Sequence, residues 1–217
     1  MFAFTIDDIE AKQSLVGWSE LASNKAAYRL KDSFDQAILA KMAAGAVSSG
    51  TLGTNASPIV VNNSGGAFSP LDIIGRASRL LDEQSVPEDE RFFIAPPHFW
   101  EMMTAAGSPI TQVYVSGDDE SPLRNGQITD KEIRGFKLYK SLNLPKAGSG
   151  SDAAGSGNCG TLIAGHMSST TTVQQLAKLE VLRNPNSFGQ IVRGLHVYGS
   201  LVLRPEALVT VKWNKGA

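Results

Sequence analysis

The residue grouping with the most specific chemistry attached to it is "GSGNCG", Gly155 to Gly160, which matches the G-x-G-x-x-G pattern of dinucleotide sites. Such a site needs a strand before the pattern and a helix after it, so that the helix N-terminus faces the pyrophosphate. Here a Gly/Ser/Ala loop, Lys146 to Gly160, precedes it and the strand-like "TLIAG" from Thr161 follows. A mobile loop without nucleotide chemistry is therefore expected. The three histidines, His98, His166 and His196, stand in no metal-ligand spacing with one another or with the single cysteine, Cys159. The hydroxyl run Ser168 to Thr172 lacks the glycine-flanked elbow of a serine nucleophile. Asp7 and Asp8 are neighbours in sequence, so they cannot face one another as an acid/base pair, and they read as a helix cap. Asp118, Asp119 and Glu120 lack EF-hand spacing and read as a solvated loop tip. No grouping makes a convincing active site or cofactor site, so no catalytic, cofactor-binding or metal residues are expected and the chain does not read as an enzyme.

Composition narrows the classes further. The chain has 217 residues with 20 basic against 21 acidic side chains, a net charge of −1, and no basic cluster. Tight nucleic-acid binding requires several phosphates to be neutralised, so DNA is expected to be contacted weakly if at all. A lone cysteine excludes an internal disulfide, and the N-terminus "MFAFTIDDIEAKQ" lacks the basic and apolar regions of a signal peptide. No apolar run approaches the ~18 residues of a membrane span.

The elements that carry these residues are of mixed type. Leu15, Trp18, Ala22, Ala26, Leu30, Phe34, Ile38 and Met42 recur at steps of three and four, which predicts one long helix from Asp7 to about Gly45, roughly 50 Å, with these residues on a buried face. Ala46 to Ser69 reads as loop with a short strand at Ile59 to Val61. Ser69 and Pro70 open a second helix with the stripe Leu71, Ile74, Ala77, Leu80 and Leu81. Arg91 to Ala95 reads as a strand, Pro96 and Pro97 as the start of a third helix ending near Gly107, and Ile110 to Ile128 as polar strand and loop. Ile133, Phe136, Leu138 and Tyr139 predict a strand ending at Pro145.

From Leu176 to Trp213 the pattern is that of long strands, with Leu176, Leu179, Val181, Ile191, Leu195, Val197, Leu201, Leu203, Leu208 and Val211 interleaved with Lys178, Glu180, Arg183 and Arg193. Charges of both signs on one face, with the other face apolar, suit a surface that meets another copy of the chain. Lys178, Glu180, Arg183 and Arg193, together with Asp118, Asp119 and Arg124, are the candidate subunit-interface residues.

Taken in order, three segments resemble the major capsid proteins of tailed bacteriophages, nearest to those of short-tailed podophages. "DIEAKQSLVGWSELASNKAAYRLKDSFDQAILAKM" is similar to the family's spine helix. "VPEDERFFIAPPHFWEMM" is similar to its V-P-x-x-x-R-x-x-x-x-x-P segment. "LEVLRNPNSFGQIVRGLHVYGSLVLRPEALV" resembles its long peripheral strands, and "GFKLYKSLNLP" its G-F-x-x-Y-x-S-x-x-L-P ending. The resemblance implies the α+β tailed-phage capsid (Johnson) fold. It divides the chain into residues 1–45 as the end of an extended loop and the spine helix of the peripheral domain, 46–165 as the axial domain, 166–205 as the long peripheral strands, and 206–217 as a strand returning to the axial domain. It further implies a structural subunit that assembles with copies of itself into pentamers and hexamers, closing an icosahedral shell around phage DNA. Scaffolding and portal partners, assembly in the host bacterial cytoplasm and no membrane complete that expectation. Members carry an N-terminal arm and an extended loop before the spine helix, and "MFAFTIDDIE" resembles only the end of that loop. Either a piece of a longer coat protein or a shortened form is expected. Two alternatives stand beside this reading: an encapsulin-like nanocompartment shell, which shares the fold, and a soluble α+β enzyme with an unrecognised site.

Overall fold

Strand periodicity in the sequence resolves into two separate sheets in the computed structural model, which describes residues 1–7, 9, 12, 18–54, 57–61, 68–105, 108, 132–145 and 160–215. In chain order the elements are β1 (Phe2–Asp7), α1 (Trp18–Gly45), β2 (Thr51–Leu52), β3 (Ile59–Val61), α2 (Pro70–Glu83), β4 (Arg91–Ala95), α3 (Pro97–Met103), β5 (Phe136–Lys140), β6 (Thr161–His166), β7 (Thr170–Arg183), β8 (Gly189–Val202) and β9 (Leu208–Lys215). The chain divides into two units, Met1–Ile38 with Thr171–Leu201, and Leu39–Thr170 with Val202–Ala217. Leu15, the stretch from Ile110 to Ile128 and the loop from Lys146 to Cys159 lie outside the described residues.

In the first unit, three strands run in the order β1-β8-β7. β1 lies antiparallel to β8, with Phe2 opposite Gly194 and Asp7 opposite Gly189. Alternation turns Phe4 and Ile6 to the half-buried side and Ala3 and Thr5 to solvent. Asp7 ends β1, and its Oδ1 accepts the Ile9 amide at 3.1 Å, the local bond expected of an acidic cap. Helix α1 spans 28 residues, about 42 Å. Its apolar stripe is less buried than its spacing predicts, for Leu30, Phe34 and Ile38 are only half-buried. Phe34 meets β8, edge-on to Tyr198 with centroids 4.6 Å apart and tilted against His196 at 5.4 Å. Leu39 and Met42, farther along the helix in the second unit, are buried, while the side chains of Trp18 and Ala22 lie outside the described ones.

The second unit holds the core. Its sheet has the order β2-β9-β6-β4-β5, with β3 also pairing β9. β4 and β6 each have neighbours on both sides, which explains why "RFFIA" and "TLIAG" are nearly continuous apolar runs. Phe93 sits among the core rings, 5.8 Å from Phe99 and 6.0 Å from Phe136, and Phe99 meets Trp213 edge-on at 5.4 Å. Ser69 starts α2 with a complete capping box: its Oγ accepts the Asp72 amide at 3.2 Å, and Asp72 Oδ2 accepts the Ser69 amide at 3.0 Å. The buried stripe of α2 is Pro70, Ile73, Ile74, Ala77 and Leu81. Leu71 and Leu80, expected on it, flank it half-buried, because Ile73 falls nearer the centre of the face that begins at Pro70. α3 ends at Met103 and not near Gly107. Thr104 Oγ1 donates to the Trp100 carbonyl at 3.0 Å and the Glu101 carbonyl at 3.2 Å, competing for the last helical acceptors.

Candidate subunit interface

The β7–β8 hairpin is built by its turn, "NPNSFG". Asn184 Oδ1 accepts the Asn186 amide at 3.0 Å, Asn184 Nδ2 donates to Ser187 Oγ at 2.7 Å, and the Asn184 amide donates to the Gly189 carbonyl at 2.9 Å. Carrying that antiparallel pairing four residues inward from each end sets Glu180 opposite Arg193. Arg193 Nη2 lies 3.4 Å from Glu180 Oε2, and Lys178 Nζ lies 3.9 Å from Glu180 Oε1. These three charges therefore share a face and engage one another within the chain. All are substantially exposed, so the pairs contribute about 0–1 kcal/mol and leave the groups available to a neighbour.

Arg183 does not join them. It is three residues beyond Glu180 on the same strand, and a period of two turns it to the opposite face. Among the described residues it has no ion pair. The expected division into a charged face and an apolar face is also not present. Along β8, Arg193, Leu195, Val197 and Leu201 share one parity, so three exposed apolar side chains line up behind the arginine. On β7, Leu179 and Val181 share the parity of Arg183 and are 60% and 54% exposed. Both faces of the hairpin mix charge with exposed apolar area. Asp118, Asp119 and Arg124 lie outside the described residues.

The remaining chemistry-bearing residues serve locally. His98 Nδ1 lies 3.8 Å from Glu101 Oε2 on the exposed side of α3. His166 Nδ1 accepts the Ser168 amide at 3.1 Å and contacts Ser168 Oγ at 2.8 Å, capping a single 3-10 turn, Met167–Ser169, that leads into β7. His196 is a ring neighbour of Phe34 and Tyr198. Gly160 leads directly into strand β6, where a dinucleotide site would require a helix. Burial pushes the Lys212 ammonium below its ordinary pKa; its Nζ donates to Thr161 Oγ1 at 2.6 Å, on the opposed strand of the core sheet. Among the described residues, no group of three or more His, Cys, Asp or Glu side chains is placed to hold a metal ion. No described helix is long and apolar enough to cross a membrane.

Sequence reasoning missed two arginine sites. Arg91, at the first position of β4, is only 2% exposed. Its Nη2 donates to the Val86 carbonyl at 2.5 Å and meets Asp82 Oδ1 at 2.8 Å, while its Nε donates to the Pro87 carbonyl at 2.7 Å. The signal was present in the "VPEDER" segment, where a charge opens an otherwise apolar strand. The second is an open cleft of about 500 Å³ beside α2, lined by Phe68, Asp72, Gly75, Arg76, Arg79 and Arg134. Arg134 is remote from α2 in sequence, so no local pattern could have paired them.

A long helix with a three-stranded sheet built on a long hairpin, and a mixed sheet with two shorter helices, are the elements of a capsid subunit. The chain belongs to the phage capsid protein family, whose model matches residues 1–211. It is a structural component of the phage capsid. Comparison with curated protein sequences gives no match. Among solved structures, a chain of Mycobacterium phage Che8 is 26% identical with a TM-score of 0.75, the match covering 97% of this chain and 68% of that one. The capsid of cyanophage P-SCSP1u is 18% identical with a TM-score of 0.71, covering 99% and 72%. The holo-SrpI encapsulin complex from Synechococcus elongatus PCC 7942 shares the fold at 9% identity and a TM-score of 0.61, covering 97% and 71%.

Proposed function

We propose that the chain is the major capsid subunit that closes an icosahedral shell of five- and six-membered capsomers around phage DNA, with the β7–β8 hairpin as one of its self-association surfaces. The observation that carries the hairpin assignment is its exposure. Leu179, Val181, Leu195, Val197 and Leu201 are each at least 39% exposed on a strand pair whose two faces both carry apolar area left open by the described residues. Exposed apolar patches of this kind mark association sites. In this reading residues 1–45 and 166–205 make up the peripheral domain, and residues 46–165 and 206–217 belong to the axial domain. Lys178, Glu180, Arg183 and Arg193 set register with a neighbour, since complementary charge fixes partner and orientation more than it adds affinity. Asp118, Asp119 and Arg124 are further candidates for contact with a neighbouring copy. Shell closure multiplies many weak contacts, so each can be individually small. Scaffolding and portal proteins are the expected further partners, assembly takes place in the host cytoplasm, and the near-neutral chain contacts packaged DNA weakly.

The test is assembly of the purified chain, followed by sedimentation and electron microscopy. Wild type is expected to form capsomers or shells. Arg193→Glu places like charges opposite one another across the hairpin. It should change the melting of the isolated subunit by no more than about 1 kcal/mol while preventing or misdirecting assembly. Normal shells from Arg193→Glu and Arg183→Glu would remove the hairpin assignment. An encapsulin-type shell is the second reading, favoured by the fold shared with SrpI. Particles that enclose protein and no nucleic acid when isolated from the native host would decide for it.

A further inference from the structure

Two local rules of chain structure are broken at one place in the second unit, and both breaks serve the same guanidinium. Arg134 has φ of +52° and Gly135 has φ of +76°. They form the two-residue turn between Ile133 and Phe136, whose amides and carbonyls exchange bonds of 3.1 and 3.0 Å. Left-handed conformation at both central positions favours Asn, Asp or Gly at the first, and an arginine there is conformationally costly. Gly75 stands in the interior of α2, where alanine would favour the helix. A Cβ at Gly75 would overlap the Arg134 guanidinium, with Cζ at 2.9 Å. The glycine leaves the space that the strained arginine fills. Local choices that oppose their own element without a packing gain concentrate at functional positions.

The surroundings define what such a placement suits. Arg134 makes no hydrogen bond or ion pair among the described residues. Arg76 is likewise without an ion pair and lies with Cζ 3.8 Å from the Phe68 ring centroid. Arg79 meets Glu83 at 3.5 Å in a pair whose side chains are 66% and 58% exposed. Asp72, the one carboxylate among the described residues lining the cleft, is committed to the Ser69 cap. Three guanidinium groups thus border one open cleft with donors to spare, and guanidinium forks match planar oxyanions. Asp72, Asp82 and Glu88 line this cleft and the one adjoining it, and Glu83 pairs with Arg79. A nucleic-acid backbone, with a phosphate at every step, would be repelled by those carboxylates, whereas a single carboxylate fits between the arginines.

We infer that the Arg76/Arg79/Arg134 cleft receives an acidic side chain from an adjacent copy of the chain. This rests on the self-assembly reading above. Exposed acids are available to supply it, such as Asp89 and Glu90 ahead of β4. The occupant is therefore a second copy, joined by a charge-assisted fork.

The experiment compares wild type with Arg134→Gly and Gly75→Ala in the full chain, reading subunit melting by circular dichroism and assembly threshold by sedimentation. Glycine relieves the left-handed strain, so Arg134→Gly subunits should melt at or above the wild-type temperature. Their assembly threshold should nevertheless rise about tenfold. Gly75→Ala, which evicts the guanidinium, should shift the threshold in the same direction. Soluble double-stranded DNA added to the wild type should not compete. Three results overturn the proposal alone: wild-type thresholds in both variants, a large fall in melting for Arg134→Gly (a structural strut), or competition by DNA. Wild type remaining monomeric overturns the assembly reading and this proposal together.

Discussion

Replacing Arg91 by lysine keeps the charge and most of the length, yet it should destabilise the subunit by about 2–3 kcal/mol. The guanidinium satisfies two backbone carbonyls, Val86 and Pro87, and one carboxylate, Asp82, from a site that is 2% exposed. Hydrogen bonds to charged groups contribute about 1.5–3 kcal/mol each, and a buried acceptor left unpaired costs about 1–3 kcal/mol. A lysine ammonium on an unbranched stem cannot reproduce the fixed Nε and Nη2 directions, so at least one carbonyl is orphaned. Asp82 is 51% exposed and rehydrates, which keeps the loss below a simple sum. Arg91→Ala removes all three contacts and the packing, for about 3–5 kcal/mol. Urea unfolding of the isolated subunit, followed by the fluorescence of the buried Trp100 and Trp213, measures both. An Arg91→Lys midpoint within about 0.5 kcal/mol of wild type, or equal losses for the two variants, would refute the claim that fork geometry and not charge alone holds the loop between α2 and β4.

Three further outcomes are expected. Phe34→Ala should cost about 2 kcal/mol, near half of what a fully buried phenylalanine loses, because its ring is half-buried against Tyr198 and His196; thermal melting checks this. Ser69→Ala should cost about 1 kcal/mol at neutral pH through loss of the cap. Hydrogen bonds from the Ser69 side chain and backbone hold the Asp72 carboxyl below its ordinary 3.8, with Arg134 and Arg76 assisting. Its contribution is thus complete above pH 3.8 and is lost as pH falls through the lowered value. The stability gap between wild type and Asp72→Asn, measured by urea titration at a series of pH values, should narrow below about pH 4.

What was legible in the sequence was whatever local pattern determines. The Ser69-Pro70 start of α2, the prolines opening α3 and the apolar runs of β4 and β6 each follow from residues within a few positions. The resemblance that identified the capsid fold rested on the order of such segments. Faces were less legible. Ile73 was passed over for Leu71 because a step-of-three count does not locate the centre of a stripe, and burial of Phe34 was overestimated because the helix pattern does not reveal how much covers it. Charge and apolar residues on the hairpin were assigned to separate faces because a mixed strand suggests clean alternation, whereas parity places Arg193 with Leu195 and turns Arg183 away from Glu180. The arginine cleft was illegible because Gly75 and Arg134 meet only in three dimensions.

Pairing between distant parts of the chain also sets when a subunit becomes competent. Residue 2 lies opposite residue 194 in the first unit, and β2 and β3, made early, pair with β9, which starts at residue 208. A ribosome adding about 5–20 residues per second needs on the order of ten seconds or more between the two halves of these pairings. Through that interval β1 has no β8 beside it, and the core sheet lacks the strand that joins its early edge to β6. A nascent or truncated polypeptide that stops short of β9 therefore lacks the partner of β2 and β3 and one neighbour of β6, and its core sheet is left in two pieces.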